Sequence, residues 1–273
     1  MSDTCRACCE TCACCRSGGV PSVCVMISVI IPTLDAEKDL APTLAALIPA
    51  AVDGFVREVI VVDGGSSDAT LTIAENAGVE IIESARGRGL QLRAGARRAR
   101  FPWLLFLHAD TELGRDWDTV AANFIEKVDS GRLSPSAAAF RYRLLDDGWR
   151  PRLLEQAVAL RCAVFRLPYG DQGLLIPRVL YDEIGGFNEM PLMEDIDLIH
   201  RIGRSRLRML NADALTSALR YRRDGYLRRI LRNQACLALY TFGVSPQRIE
   251  QIYANERSPA HSPLAAKERP SGS

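Results

Sequence analysis

Apolar residues along this chain gather in short runs divided by polar turns, and two periods alternate. Ile27 to Ile31, Arg57 to Val62, Val79 to Ile82 and Trp103 to Leu107 are short and apolar at most positions. That is the pattern of strands buried on both faces. Between them, apolar residues recur at helical spacing. Leu40, Leu44, Leu47 and Ile48 mark the first helix, which Pro42 obliges to begin near Leu40 because proline is tolerated only in a first turn. Ser67 or Asp68 caps a second helix running through Ala77. The segment Gly87 to Gly89 opens a third, bearing Arg93, Arg97, Arg98 and Arg100, and Trp117 to Val128 forms a fourth. The βαβαβαβ alternation predicts an α/β fold built on a mainly parallel sheet with helices on both faces.

The second half is less regular. Ala137 to Leu145 reads as a strand, Pro151 to Phe165 as an amphipathic helix, and Leu174 to Ile176 and Arg206 to Leu210 as short strands. Glu194 and Asp195 open a helix through Ile202. Helices over 224–242 and 245–253 close the C-terminal part. The first of these has arginines at its start and an apolar stretch after it. Over 224–243 it suits either packing on the domain or peripheral contact with a membrane surface.

Composition narrows the picture. Net charge is +1, so nothing pulls the whole chain toward nucleic acid. Seven of nine cysteines fall between Cys5 and Cys24, leaving only Cys162 and Cys236 in the body. That distribution argues against a disulfide framework and fits a reducing cytoplasm. Residues 1–25 read either as a thiol-rich metal or redox tail, or as a disordered leader upstream of a true start at Met26. Residues 256–273 are rich in Ser, Pro, Ala and charge, and are expected to be disordered.

The candidate chemistry sits where strands stop. His108 and Asp110 end the Trp103 run, two residues apart, so that in extended chain they point the same way. An imidazole beside a carboxylate suits a divalent metal. Equally, Asp110 can cap the next helix while His108 is a satisfied strand-end residue. Thr33, Asp63, Arg86 and Asp110 all lie at strand ends, which in an open parallel sheet border the ligand crevice. No GxGxxG and no GxxxxGK[ST] is present, so neither a dinucleotide fingerprint nor a P-loop is supported.

Four segments in order, ISVIIPT with Glu37, VVDGGSSD, the HAD strand end and Glu194-Asp195, resemble family-2 glycosyltransferases of the GT-A fold over roughly residues 27–240. The variants VDGGSSD, LHADT, GDQG and MEDIDL are most similar to the bacterial arsenosugar-biosynthesis-type subfamily. The resemblance implies a GT-A domain over 26–255, with C-terminal helices, acting in the cytoplasm or at the inner membrane face. It implies a UDP- or GDP-sugar donor, a hydroxyl acceptor, inversion, and a divalent Mn2+ or Mg2+. Pro32, Thr33, Glu37, Asp63, Arg86, Gly89, His108, Ala109 and Asp110 would hold the nucleotide sugar. Asp110, with His108, would bind the metal, and Asp195 of the Glu194-Asp195 pair would be the general base. Asp171 and Gln172 in GDQG would contact donor sugar or acceptor, or simply build a turn.

Two departures stand out. Gly64 replaces the pattern's second Asp, and His108 replaces the first Asp of its Asp-x-Asp. Arg222, Arg223 or Arg228 would serve the diphosphate in place of a missing Gln-x-x-Arg-Trp motif. Two further functions compete. A nucleotidyltransferase making nucleotide sugars would want a Gly-rich loop after the first strand, and residues 32–37 hold no Gly. His108 and Gly64 are the features that would suit a non-catalytic nucleotide-sugar-binding protein.

Overall fold

A computed structural model describes residues 25–255. The expected Cys-rich leader and the tail after Asn255 lie outside the described residues. In chain order the elements are β1 (Ile27–Thr33), α1 (Leu40–Ala45), α2 (Ile48–Val52), β2 (Val56–Asp63), α3 (Thr70–Asn76), β3 (Glu80–Glu83), α4 (Arg88–Arg98), β4 (Trp103–Phe106) and β5 (Thr111–Leu113). There follow α5 (Trp117–Asp129), β6 (Ala137–Leu145), α6 (Trp149–Phe165), β7 (Leu174–Pro177), α7 (Arg178–Glu183), α8 (Glu194–Ile202) and β8 (Leu207–Ser217). The chain then runs through α9 (Leu219–Asp224), α10 (Tyr226–Thr241) and α11 (Pro246–Asn255).

The strands form one sheet in the order β3-β2-β1-β4-β7-β6-β8-β5. The first four are parallel, as their apolar runs predict. From β7 onward the sheet is mixed: β7 runs antiparallel to β4 and β6, β8 is parallel to β6, and β5 is antiparallel to β8. Alternate residues of the central strands feed two cores. Val29, Ile31, Trp103 and Leu105 meet α1, α2 and α5 on one face. Ile30, Val62, Leu104 and Phe106 meet α4, α7 and α8 on the other. A strand with a core on each side has no polar alternation, which is why these runs are continuous.

Several expected boundaries shift. The Leu40 helix breaks into α1 and α2, with Pro49 at the second position of α2, where its missing N–H costs nothing. The strand expected over 206–210 continues to Ser217, its buried positions alternating with Asn211 and Asp213. The helix expected over 224–242 is α10, starting at Tyr226, and Gly225, whose φ of 83° suits glycine, separates it from the short and unexpected α9. Among the described residues no helix is long and apolar enough to cross a membrane.

Because β1, β2 and β4 are parallel, Thr33, Asp63 and His108 emerge along one edge. Gly95 sets how closely α4 lies against these strands: a Cβ there would stand 2.4 Å from Ile30 Cγ2 and 2.9 Å from Val62 Cγ2. Gly95→Val is expected to lower stability by about 1–3 kcal/mol through overpacking, read as a lower urea midpoint with unchanged slope. A midpoint equal to that of the unmodified chain would show that α4 can retreat freely.

Candidate active site

Two adjoining structures occupy the strand-end edge. The first is a pair of stitched loops after β1 and β2. Asp63 is buried and accepts four hydrogen bonds: Thr33 Oγ1 at 2.9 Å and Ser66 Oγ at 2.5 Å on Oδ1, the Gly65 and Ser66 amides at 2.9 and 2.7 Å on Oδ2. Burial pushes its carboxyl up, but these donors outweigh burial and hold it below the usual aspartate range. Asp35 accepts from the Ser67 amide at 2.8 Å. Glu37 and Asp68 exchange contacts, each accepting an amide of the other's loop, at 3.4 and 3.1 Å. Asp68, one of the two expected caps, also accepts the Thr70 amide at 3.0 Å, one residue upstream of the observed N-cap Ala69. Gln91 Nε2 donates to the carbonyls of Thr33 and Val62 at 2.7 and 2.8 Å, tying α4 to both strand ends.

The second is a cleft of about 940 Å³ lined by Arg88, His108, Asp110, Gly170, Asp171 and Asp195, with Tyr169, Tyr221 and Arg229 on its far wall. His108 Nδ1 stands 4.0 Å from Asp110 Oδ1. Asp195 Oδ2 accepts the Gly170 amide at 2.8 Å, and Oδ1 accepts the Ile196 amide at 2.8 Å. Met193, which leads into α8, sits at φ 67°, a costly conformation for a side chain of its size that aims the following Glu194-Asp195. Glu194 is only 1% exposed, pairs with Arg88 Nη1 at 3.2 Å, and does not line this cleft. Burial pushes the Glu194 carboxyl up. Burial works against the Arg88 charge, but Glu194, Asp195 and Asp110 outweigh it and hold the guanidinium firmly protonated.

The cleft thus brings together His108, Asp110, Asp171 and Asp195 of the sequence-derived residues. Thr33, Glu37 and Asp63 stand in the neighbouring stitched loops. Arg86 is exposed, and the cation that reaches the cleft is Arg88, two residues on. Gly89 is needed for its own reason: a Cβ there would stand 2.5 Å from the Asn188 carbonyl. Ala109 gives its carbonyl to Thr43 Oγ1 at 2.8 Å, and Pro32 lies half-buried in β1. Gln172 is a structural clamp, donating to the Phe140 carbonyl at 2.9 Å and accepting the Tyr169 amide at 3.2 Å. Of the arginines expected near the diphosphate, Arg222 is held by Asp146, and Arg228 faces a different groove. Arg229, stacked 4.9 Å over the Tyr221 ring, reaches the cleft instead.

Among the described residues no three His, Cys, Asp or Glu side chains stand close enough to hold a metal unaided. A nitrogen and an oxygen donor 4.0 Å apart do fit a cation whose other ligands come from a bound diphosphate.

A parallel 3-2-1-4 sheet extended by antiparallel strands, with an acidic cleft at its strand ends, is the GT-A architecture. Structures of this fold are similar to the chain. The S. aureus TarS structure (residues 1–349) superposes with a TM-score of 0.55 at 19% identity, covering 71% of this chain and 61% of that one. Glucosyl-3-phosphoglycerate synthase from Mycobacterium tuberculosis, in complex with Mn2+, UDP and glucosyl-3-phosphoglycerate, gives a TM-score of 0.46 at 21% identity, covering 69% of this chain and 70% of that one. In sequence, PGL/p-HBAD biosynthesis glycosyltransferases of Mycobacterium tuberculosis and Mycobacterium bovis are 37% identical over 115 residues, 35% of this chain and 39% of theirs. The match spans about two fifths of those relatives. The Glycosyl transferase family 2 profile matches residues 28–165, just over half of the chain. The chain belongs to glycosyl transferase family 2.

Asp171 carries the clearest electrostatic signature of the cleft. Burial pushes its carboxyl up to about 6, helped by Asp195 and Asp110 and opposed by Arg161 and Arg88. Its Oδ1 is buried with no hydrogen-bond partner among the described residues. A carboxyl raised in the fold costs nothing below its unfolded value, and stability is lost as pH rises through the folded value. Asp171→Asn removes that loss. The urea midpoint of the variant is expected to gain on the unmodified chain between pH 4 and pH 7, with little difference at pH 4. A midpoint difference flat with pH would contradict this.

Proposed function

We propose that the chain moves a sugar from a nucleoside diphosphate donor to an acceptor hydroxyl with inversion, Asp195 being the general base. The observation that carries this reading is the arrangement across one cleft. Asp195, fixed by the Gly170 and Ile196 amides, lines the same cleft as the His108–Asp110 pair and Arg88. In a single displacement the leaving diphosphate and the attacking hydroxyl lie on opposite faces of the sugar, so a base and a cationic diphosphate site are both needed within reach of one bound sugar.

Arg88 would take one side of the diphosphate, its charge already sustained by the surrounding carboxylates. His108 and Asp110 would hold a divalent cation, Mn2+ suiting the imidazole better than Mg2+. When bound, it would neutralise charge developing on the leaving group. The nucleoside would extend toward Pro32, Thr33, Glu37, Asp63 and Arg86. Asp63, whose lone pairs are already taken within its loop, would act there chiefly by shaping the main chain around the base. Asp195 would accept the acceptor's proton. Glu194 would act by positioning Arg88. UDP-sugars are the first donors to try, because TarS, which shares the fold, was crystallised with UDP-GlcNAc. Sugar transfer is favoured over nucleotidyl transfer by the family, and over mere binding by a carboxylate held on two amides in the cleft that Arg88, His108 and Asp110 line.

Incubation with UDP- and GDP-sugars and Mn2+ is expected to release the nucleoside diphosphate. Asp195→Asn should lower that rate by ~10²–10⁴ while donor affinity, measured by calorimetry, changes only a few-fold. Asp110→Ala should instead weaken Mn2+-dependent donor binding. Undiminished release from Asp195→Asn would remove the base assignment, and pyrophosphate formed from a nucleoside triphosphate would replace the whole reading.

A further inference from the structure

A second and larger groove, a space of about 3020 Å³ between α6 and α10, adjoins the active cleft, and Tyr169, Asp171, Tyr221, Asn233 and Leu237 line both. One wall of that groove is a stripe of α6. Trp149, Leu153 and Leu160 are 71, 59 and 65% exposed, and Val164 continues the same line. Spacings of four, seven and four residues keep all four side chains on one narrow face of a helix. The opposite face of α6 carries the helix's packing, burying Val158 and Cys162 against Tyr142, Leu144 and Tyr221. The exposed stripe therefore contributes nothing to holding the helix in place. Leu227, Ile230 and Leu237 of α10 supply the other wall.

The charge of the groove is one-sided. Arg150, Arg166, Arg204 and Arg228 border it, and none has a carboxylate partner among the described residues. The acidic residue that lines it is Asp171, at the end that opens on the cleft. Residues 1–24 and 256–273 hold few large apolar side chains that could fill such a space. Apart from alanine, proline and cysteine, the apolar residues of 1–24 and 256–273 are Met1, Val20, Val23 and Leu264. A large apolar surface with a cationic border, adjoining the cleft of the reacting groups, calls for an apolar occupant that carries negative charge.

We propose that the acceptor is an anionic amphiphile: its hydroxyl enters the cleft beside Asp195, and its hydrocarbon chain lies in the groove between α6 and α10. This rests on the sugar-transfer reading of the cleft and adds the chemical class of the acceptor. A concave groove walled by two helices, and adjoining the cleft that Asp195 lines, suits one chain laid along it better than a flat bilayer surface or a second copy. The arginines would meet a phosphate or carboxylate near the head of the amphiphile.

The test uses the full chain and dodecyl phosphate below its micelle concentration. Trp103 and Trp117 are buried at 1 and 3% exposure, so a tryptophan fluorescence response to a ligand in the groove reports Trp149. Dodecyl phosphate is expected to give a saturable blue shift that butyl phosphate and dodecyltrimethylammonium do not. The shift should disappear in Trp149→Phe while calorimetry still detects binding. Apparent affinity should fall at least tenfold in the Leu153→Glu/Leu160→Glu double variant, whose substitutions lie on the exposed stripe. UDP binding to the unmodified chain is measured separately, so that loss of the donor reading and loss of this one are distinguished. No saturable shift, an equal response to butyl phosphate, or an unchanged affinity in the double variant overturns the proposal. So does a dimer in sedimentation that the double variant dissociates, which assigns the groove to a second copy. Adsorption to phosphatidylglycerol vesicles without any response to monomeric dodecyl phosphate assigns it to a bilayer and overturns the proposal as well.

Discussion

The site depends on how closely Gly170 approaches two other elements. Its amide holds the Asp195 carboxylate at 2.8 Å, and a Cβ on it would stand 2.6 Å from His108 Nε2. Strand β4, the turn before β7 and the start of α8 are far apart in sequence, and they meet only because this residue has no side chain. The turn itself is fixed from behind. Gln172 spends its amide on the Phe140 carbonyl of β6 and the Tyr169 amide, and Thr216 of β8 donates to the Asp171 carbonyl at 3.2 Å. Two strands of the mixed half of the sheet thereby set the distance between the strand-end pair and Asp195. A purely parallel sheet would have left this side of the crevice open.

The same convergence concentrates negative charge. Asp110, Asp171, Glu194 and Asp195 surround Arg88, which pairs directly with Glu194. Repulsion within the group is visible in Asp171, pushed up to about 6 by burial and by its acidic neighbours. A positive charge brought to Asp110 acts on Asp171 in the opposite sense, so proton and cation occupancy of the cleft are coupled by Coulomb's law rather than by any moving part. The stitched loops after β1 and β2 behave differently. There each carboxylate is matched by amide and hydroxyl donors, and Asp63 is held ionised without any cation at all. One rim is finished before a ligand arrives, and the other is left electrostatically unbalanced.

How far the sequence could be read follows from these two kinds of rim. Strands buried on both faces write their burial into composition, so β1, β2 and β4 and the residues at their ends were legible. Asp195 was legible only through the family resemblance, since a carboxylate at a helix start serves ordinary capping equally well. The short β5 was not, since three residues after a strand-end motif carry no period. Nor was the full length of β8, where Asn211 and Asp213 interrupt the apolar run on its exposed side. Arg88 rather than Arg86 reaches the cleft because α4 begins at residue 88, and a helix start is uncertain by one or two positions from sequence. Glu194 and Gln172 are polar residues buried for structural reasons. Sequence patterns cannot separate that from a place in the site, because both uses demand the same side chain.

The two departures from the family pattern have one physical reading. Gly64 leaves room that Gln91 fills: a Cβ at position 64 would stand 3.0 Å from Gln91 Nε2, the atom that joins the Thr33 and Val62 carbonyls. A neutral amide therefore stands where an aspartate side chain would begin. His108 likewise puts an imidazole where a carboxylate is expected. Each change removes one negative charge from the edge where β1, β2 and β4 end. On the proposed reading, an edge with less negative charge would repel a diphosphate less and need less positive charge from a cation to hold it. The balance would then fall more heavily on Arg88, whose guanidinium is kept charged by the acidic groups that remain. The departures alter how charge is shared at the strand ends while leaving Asp195, its amide donors and the adjoining groove unchanged.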